Sequence, residues 1–482
     1  MRVAVAIVLA LAFGLIVFTA AAGASGSVAA GAVIALLAAG VAGALAWRRP
    51  PVDFDEAAAP RALRIVSLLA ALLALVQFAR LSLFLVDATR TGDSTVPSSR
   101  WEVRHSCVTA YFVAGEAASR VPNVYADELY SLPGDPAAPR RPRMLDGFTV
   151  DVYEYPPPFL LLPRLLHLVA PDFLRFRGPW FALNAAVVLA VMLAVARRFG
   201  PAGGTRVLLL TPLVWTSLTL VNAFQKENVQ MLVVALSVLA MLLFERRRWA
   251  AGGFVLAFAI ASKLYPGMLV VYLLFRRRWR AVFWTAGFGA AIVLVSLLDT
   301  GWAPYDAFLH HLPALLSGKA FPVFRNPPGI AINYSIPGLA FKAKLFGVPG
   351  MGFGAAKVLG WVATLGALAL IMRAARGPEE RDDPRTWLAI VVLATLCSPF
   401  LPQAYACFPP LWLLTFLAGA LAPTTRVLVA TLVGWVILAV LIPVDAPVDP
   451  RVLALLILPP QVLTVALAIA GVSNRWRPAE VR

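Results

Sequence analysis

The strongest constraint on this chain is its succession of apolar runs, most of them long enough to cross a lipid bilayer. A helix rises about 1.5 Å per residue, so roughly 20 apolar residues cover a hydrocarbon core about 30 Å thick. Such runs fall at about 3–22, 28–47, 63–86, 180–196, 206–221, 227–244, 281–298, 353–372, 387–401, 404–421, 427–443 and 452–472. They predict an all-α integral membrane protein, a polytopic bundle of about 12–14 membrane segments with a large first loop outside the membrane. Composition agrees: 60% of the 482 residues are hydrophobic and 14% charged, where soluble domains carry about 25% charged residues. The first run, MRVAVAIVLALAFGLIVFTAAAGASG, has the basic start and apolar centre of a signal peptide. A second run follows at once, so the first is read as a retained span.

The net charge of +17 does not indicate a nucleic-acid partner, because the arginines gather between apolar runs. The clusters are Arg48/Arg49/Arg61, Arg197/Arg198/Arg206, Arg246/Arg247/Arg248, Arg276/Arg277/Arg278/Arg280, Arg373/Arg376/Arg381/Arg385 and Arg475/Arg477/Arg482. They fall on alternate loops, as the excess of basic residues on the cytoplasmic side requires. Both termini are then cytoplasmic. The other side receives two long loops, about 87–157 and 299–350. The first carries ten acids and seven arginines, a net acidic balance opposite to the inner loops. The chain thus divides into two extra N-terminal spans with their linker (1–62), a core containing both outer loops (63–443), and a last span with a basic tail (444–482).

Cys107, Cys397 and Cys407 show neither metal-site spacing nor a disulfide framework. The four histidines, His310 and His311 among them, form no cluster in sequence. No metal is expected.

One stretch resists a simple span: GGFVLAFAIASKLYPGMLVVYLLFRRRWR, residues 252–280. Arg246–Arg248 and Arg276–Arg278 both belong inside. The 27 residues between them give about 40 Å of helix, too little to cross a ~30 Å core twice. The chain either crosses once against the charge rule, or enters and returns as two half-spans with Lys263–Pro266 at the tip. Irregular backbone at depth is tolerated only where protein encloses it or it lines a watery cavity. An ammonium there needs a partner. A lysine snorkelling from a tilted span is the plain alternative. The prolines and Arg164 of EYPPPFLLLPRLLHLVAPDFLRF, 154–176, similarly favour an amphipathic or half-inserted helix at the outer face.

These residues together resemble the polyprenol-phosphate-sugar-dependent membrane glycosyltransferases of family 87, which have the GT-C fold. The resemblance rests on Gln225 and Asn228 opening a span, Lys263 and Pro266 ending the next, and the basic loop Arg276–Arg280. It extends to Tyr155, Pro156 and Pro157, to AYFVAGEAASRVPNVY at 110–125, and to CSPFLPQAYACFPPLWLL at 397–414. One departure stands out. The family usually places an aspartate four residues before the first tyrosine of its loop motif, and Cys107 occupies that position here.

The resemblance implies a polyprenyl-phosphate sugar donor whose glycosyl group passes to a hydroxyl acceptor at the outer face. A base must take the acceptor's proton, and cations or amides must meet the charge growing on the leaving phosphate. With Cys107 at the family position, Glu102, Asp151 and Glu154 are the candidate bases, with His105 a further one. Each of these acids is also readable as a solvated loop residue. Lys263, Lys226 and Arg104 are candidate phosphate contacts. Gln225 and Asn228 are candidates for holding sugar hydroxyls or the phosphate, and are also readable as caps of the helix that follows. Tyr155 is a further binding candidate; with its prolines it also suits a helix entry. His310 and His311 fit a surface helix or an acceptor contact.

The resulting expectation is a hexosyltransferase of a bacterial plasma or inner membrane, with mannose one candidate sugar. Its partners would be the lipid-linked donor, a glycan or glycolipid acceptor and membrane lipid, with no cofactor. The rival is a transporter or flippase of a lipid-linked sugar. No second copy of SKLYPG or of the 87–157 loop exists in the sequence, whereas transporters commonly carry internal repeats. A scaffold subunit that has lost catalysis is a third reading, kept open by Cys107.

Overall fold

The computed structural model describes residues 1–135, 138–378 and 382–473. Arg381, Arg475, Arg477 and Arg482 of the basic clusters lie outside these residues. The chain opens with α1 (Arg2–Ser25), α2 (Val28–Arg48) and α3 (Arg61–Val86). Gly26, at φ +67°, ends α1, and the Ser27 side chain accepts from the Ala30 amide to start α2. Small residues let this hairpin close: a Cβ on Gly31 would sit 2.6 Å from that of Ala22. Without a hydrophobic drive between helices in lipid, such close approach supplies the packing.

The first outer loop folds into α4 (Arg100–Arg104), α5 (Val108–Ala117), two small hairpins and α6 (Leu161–His167). The hairpins pair β1 (Ser131–Asp135) with β2 (Ala138–Pro142), and β3 (Met144–Leu145) with β4 (Phe148–Thr149). Leu165, Leu168 and Val169 stand exposed at and just beyond the end of α6, the apolar edge expected of a helix lying at the membrane surface.

The bundle continues with α7 (Phe173–Arg198), α8 (Gly200–Trp215), α9 (Leu218–Gln225), α10 (Gln230–Glu245), α11 (Trp249–Ser262), α12 (Gly267–Phe275) and α13 (Trp279–Thr300). In the second outer loop lie α14 (Ala303–Ser317), α15 (Pro327–Ala331) and α16 (Gly338–Leu345). The chain closes with α17 (Phe353–Ala375), α18 (Pro384–Leu396), α19 (Gln403–Ala406), α20 (Phe408–Gly419), α21 (Thr425–Ala439) and α22 (Pro450–Ser473). This is an all-α polytopic membrane architecture. Among the described residues seven helices are long and apolar enough to cross a bilayer, and α8 with α9 makes an eighth if counted as one bent span.

Several expected spans are corrected. The run 206–221 is not straight: α8 and α9 meet at 62°. Pro212 weakens the end of α8, and the Ser217 side chain caps α9 by accepting from the Leu220 amide. The run 227–244 begins only at Gln230, because Glu227 has φ +57°. The runs 387–401 and 404–421 give α18, with 13 residues, and α20, with 12. At about 20 Å each these cannot cross a full core unaided. Pro399 and Pro402 separate them, and nearly every residue of both is buried. They are interior helices enclosed by the others.

The arginine clusters described here share one end of the bundle. Arg197 donates to the Pro51 carbonyl, Arg198 pairs with Glu245 at 2.6 Å, and Arg206 donates to the Gly419 carbonyl. Arg276 donates to the Gly377 carbonyl and Arg278 pairs with Asp382. The half-span geometry follows from packing. A Cβ on Gly253, near the start of α11, would meet Trp284 at 2.6 Å and Thr285 at 2.9 Å, near the start of α13. Both helices therefore set out from the arginine end in the same direction. Between them α12 must return to that end, which places Lys263–Pro266 at a turning point about 20 Å deep.

Candidate active site

The site lies where two backbone breaks meet, one between α9 and α10 and one between α11 and α12. The first break is strapped to the outer loop by buried polar contacts. Glu102 is 1% exposed and pairs with Lys226 at 2.8 Å. The Asn222 amide donates to the same carboxylate at 2.7 Å, and Gln225 donates to the Glu102 carbonyl at 2.7 Å. The Cys107 amide donates to the Lys226 carbonyl at 2.8 Å. A second pair seals the other side. Arg177 and Glu227, both fully buried, lie 3.2 Å apart, and Ser106 donates to the same carboxylate. Trp180 donates to the Glu227 carbonyl at 2.8 Å. These contacts satisfy some of the backbone and side-chain groups that would otherwise be stranded at depth, while Arg177 Nη1 and Nη2, Asn222 Oδ1 and Glu227 Oε1 have no hydrogen-bond partner among the described residues.

They also decide several candidates. Glu102 is already neutralised and sealed, so it has no path to an acceptor hydroxyl. Lys226 is spent on Glu102, and Gln225 on the loop backbone. Arg104 is exposed at the end of α4, and no contact joins it to the site among the described residues. His310 lies on exposed α14, and His311 stacks on Tyr125 at 5.2 Å.

The remaining candidates converge. His105 stacks on Trp101 at 4.7 Å, holds Asp151 Oδ1 at 3.4 Å from Nδ1, and lies 3.8 Å from the Cys107 sulfur through Nε2. The Asp151 amide donates to Thr109 at 3.0 Å, which fixes this corner to α5. Asn228 Nδ2 donates to the Cys107 sulfur at 3.2 Å and to the Tyr155 hydroxyl at 3.4 Å. Lys263 then reaches across from the second break. Its Nζ donates to Asn228 Oδ1 at 3.4 Å and to Gln230 Oε1 at 3.0 Å, and lies 5.4 Å from the Tyr155 ring centre. Among the described residues no carboxylate stands within ion-pair distance of it. Unlike Lys226, Lys263 is only half-buried.

Burial sets the charge of the outer-loop acids. It pushes Asp151 up to about 7, opposed by the Cys107 thiol and the Lys226 charge. It holds Glu154 well above the usual carboxylate range, with Asp151 adding to the effect and Lys263 opposing it. It also lowers His105, helped by Lys226. Glu154 is therefore a poor proton acceptor at neutral pH, whereas Asp151, at about 7, keeps a large ionised share there and lies 3.4 Å from His105 Nδ1. One group among the described residues has metal-ligand chemistry at close spacing: His105, Cys107 and Asp151, whose ligand atoms lie within 4.8 Å of one another. The sequence showed no such spacing because the third member is remote along the chain.

Sequence reasoning missed Arg177, Glu227, Gln230 and Tyr405. Arg177 and Glu227 carried a usable signal, since each interrupts an apolar environment where a charge must find a partner. Gln230 and Tyr405, whose hydroxyl lies 3.0 Å from the Cys107 sulfur, had none.

The fold and site thus define a multi-pass membrane protein with a polar centre built at paired helix breaks. The model of glycosyltransferase family 87 matches residues 153–399, just over half of the chain, and the chain belongs to that family. It is a membrane glycosyltransferase. Comparisons with curated proteins and with solved structures returned no match. Glu154, Tyr155, Asn228, Gln230 and Lys263 fall inside the matched segment, and His105, Cys107 and Asp151 precede it.

Proposed function

We propose that this glycosyltransferase moves a hexose from a polyprenyl-phosphate donor to a glycan or lipid-linked acceptor at the outer face of a bacterial plasma membrane. The observation that carries this reading is Lys263. Among the described residues its half-buried ammonium, beside a helix break, directly touches two amide oxygens and an aromatic ring, with Glu154 beyond ion-pair distance. A cation at this depth costs a few kcal/mol unless an anion meets it. A donor phosphate supplies that anion. As the acceptor oxygen bonds to the anomeric carbon, the bond from that carbon to the phosphate oxygen breaks, and Lys263 and Asn228 meet the charge left on the phosphate. The acceptor's proton passes to Asp151, which His105 orients. Glu102, Lys226 and Gln225 hold the loop in place for this chemistry.

The shared end of the arginine clusters supports a cytoplasmic placement for it and for both termini. An Asp146→Cys variant should react with an impermeant thiol reagent in intact cells, and Arg376→Cys should not. The reverse pattern would overturn the sidedness. The activity itself is tested with the full chain in proteoliposomes, supplied with synthetic polyprenyl-phosphate hexoses and a membrane glycolipid extract. Donor-dependent transfer is expected. Movement of the intact lipid-linked sugar across the bilayer without transfer would favour a flippase and overturn the reading.

A further inference from the structure

We infer that His105, Cys107 and Asp151 form a divalent transition-metal site, best suited to zinc, beside the donor pocket. This inference rests on the proposed function only for its role; the binding itself stands on the side chains. Three ligand types converge from two segments of the outer loop: an imidazole, a thiol and a carboxylate. Taking one ligand atom from each residue, all lie within 4.8 Å of one another; the sulfur is 3.8 Å from Nε2 and Oδ1 is 3.4 Å from Nδ1, so only one of these two contacts can involve the nitrogen that binds. In a tetrahedral zinc site with bonds of about 2.0–2.3 Å, neighbouring ligand atoms are roughly 3.5 Å apart. A closing movement of about 1 Å brings one ring nitrogen, the sulfur and one carboxylate oxygen onto such a face.

Two further observations point to an occupant. His105 Nδ1 is buried and has no hydrogen-bond partner, although the ring itself is held by Trp101. Its near neighbour Asp151 Oδ1, 3.4 Å away, does not complete a hydrogen bond, and a metal held between the two would satisfy both. The Cys107 sulfur is approached by two polar groups, the donating Asn228 amide at 3.2 Å and the Tyr405 hydroxyl at 3.0 Å. Donors gathered on a sulfur suit a metal-bound thiolate and hold it in orientation. The mixed nitrogen, sulfur and oxygen set favours zinc over magnesium or calcium, which take oxygen ligands.

Three protein ligands leave the fourth position open, the arrangement of catalytic rather than structural zinc. An acceptor hydroxyl is the group proposed to occupy it, beside Asn228, whose amide reaches the Cys107 sulfur at 3.2 Å. Bound through Oδ1, Asp151 keeps Oδ2 free to take the proton.

The test uses the full chain purified in detergent with a tag that contains no histidine. Metal analysis should find close to one zinc per chain in the wild type and at least a fivefold loss in Cys107→Ser, with no loss in the Cys397→Ser control. Cobalt exchanged into the wild type should give a near-ultraviolet sulfur-to-metal charge-transfer band, absent in Cys107→Ser. Equal metal content in wild type and Cys107→Ser, or a cobalt-loaded protein without that band, would overturn the site. Thermal stability of each variant without metal shows whether it remains folded, and His105→Gln gives a second route if Cys107→Ser does not. The metal readouts need no sugar transfer. A chain that binds zinc through Cys107 yet transfers nothing keeps the site and loses the proposed function; one that transfers sugar without metal does the opposite.

Discussion

The molecule contains two kinds of buried cation, a few residues apart in space. At the break between α9 and α10, Lys226 and Arg177 each meet a carboxylate, Glu102 at 2.8 Å and Glu227 at 3.2 Å, and are closed off from solvent. At the break between α11 and α12, Lys263 bonds Asn228 and Gln230 and faces Tyr155, has no carboxylate within ion-pair distance among the described residues, and remains partly accessible. The difference separates holding from waiting. A sealed pair has spent its charge on its neighbour and fixes one chain segment to another. An accessible lysine with neutral neighbours keeps its charge for something that arrives. Proximity to a site is thus a weak guide to role, since the Lys226 carbonyl lies 2.8 Å from the Cys107 amide while Lys263 Nζ lies 3.4 Å from Asn228 Oδ1.

The comparison can be broken from either side. The largest effect is expected at the corner both breaks serve. Asp151→Asn should lower transfer by roughly 10²–10⁴, the usual share of a proton acceptor, with thermal stability in detergent close to wild type. Normal transfer by that variant would move the base elsewhere. Next, Glu102→Gln should act through folding. It strands the Lys226 charge in the interior, a loss of about 3–5 kcal/mol in unfolding experiments. The double variant Glu102→Gln, Lys226→Met should regain much of this stability. If Glu102→Gln instead keeps its stability and loses turnover, the pair is not structural.

Lys263→Met should do the opposite. Transfer should fall by roughly 10²–10³, as when a charge-stabilising donor is removed. Thermal stability should hold or rise, because a methionine at that depth carries no desolvation cost. Partial activity in Lys263→Arg is expected, since the charge survives and the compact ammonium does not. The smallest effect is predicted for Lys342→Met. Lys342 is also buried, bonding to Gln461 at 3.0 Å, but it lies on α16 and takes no part in the converging group. Its loss should leave transfer within about twofold, whereas a collapse in activity would mean that any unpaired lysine in this bundle matters and would blunt the contrast.

Much of this was legible in the sequence. The membrane architecture follows from run length, and the spacing of two arginine clusters and one proline reduces the stretch at Lys263 to two readings, a single crossing or a turning point. The family could be read from Gln225, Asn228, Lys263 and Pro266. The pairing of Lys226 with Glu102 could not. Each reads as a functional candidate, because a charged residue in an outer loop has no visible partner until the loop folds back on the bundle. The bend between α8 and α9 was hidden for a related reason: an apolar run with a proline near its end reads as one span, and only the Ser217 cap and neighbouring helices decide that it breaks. The corner of His105, Cys107 and Asp151 depends on a long-range approach of two loop segments, which no local spacing announces.

The central claim is that Lys263 waits for a lipid phosphate. The most direct measurement is the rise in thermal stability that a short-chain polyprenyl phosphate, the released product, gives to purified wild type and to Lys263→Met. A ligand bound to the folded state stabilises it in proportion to RT ln(1 + [L]/Kd). Wild type should show a concentration-dependent upward shift that Lys263→Met loses, while Lys342→Met keeps it and the corresponding uncharged polyprenol produces little in any of them. An equal shift in wild type and Lys263→Met would contradict the account and return Lys263 to the residues that serve the fold.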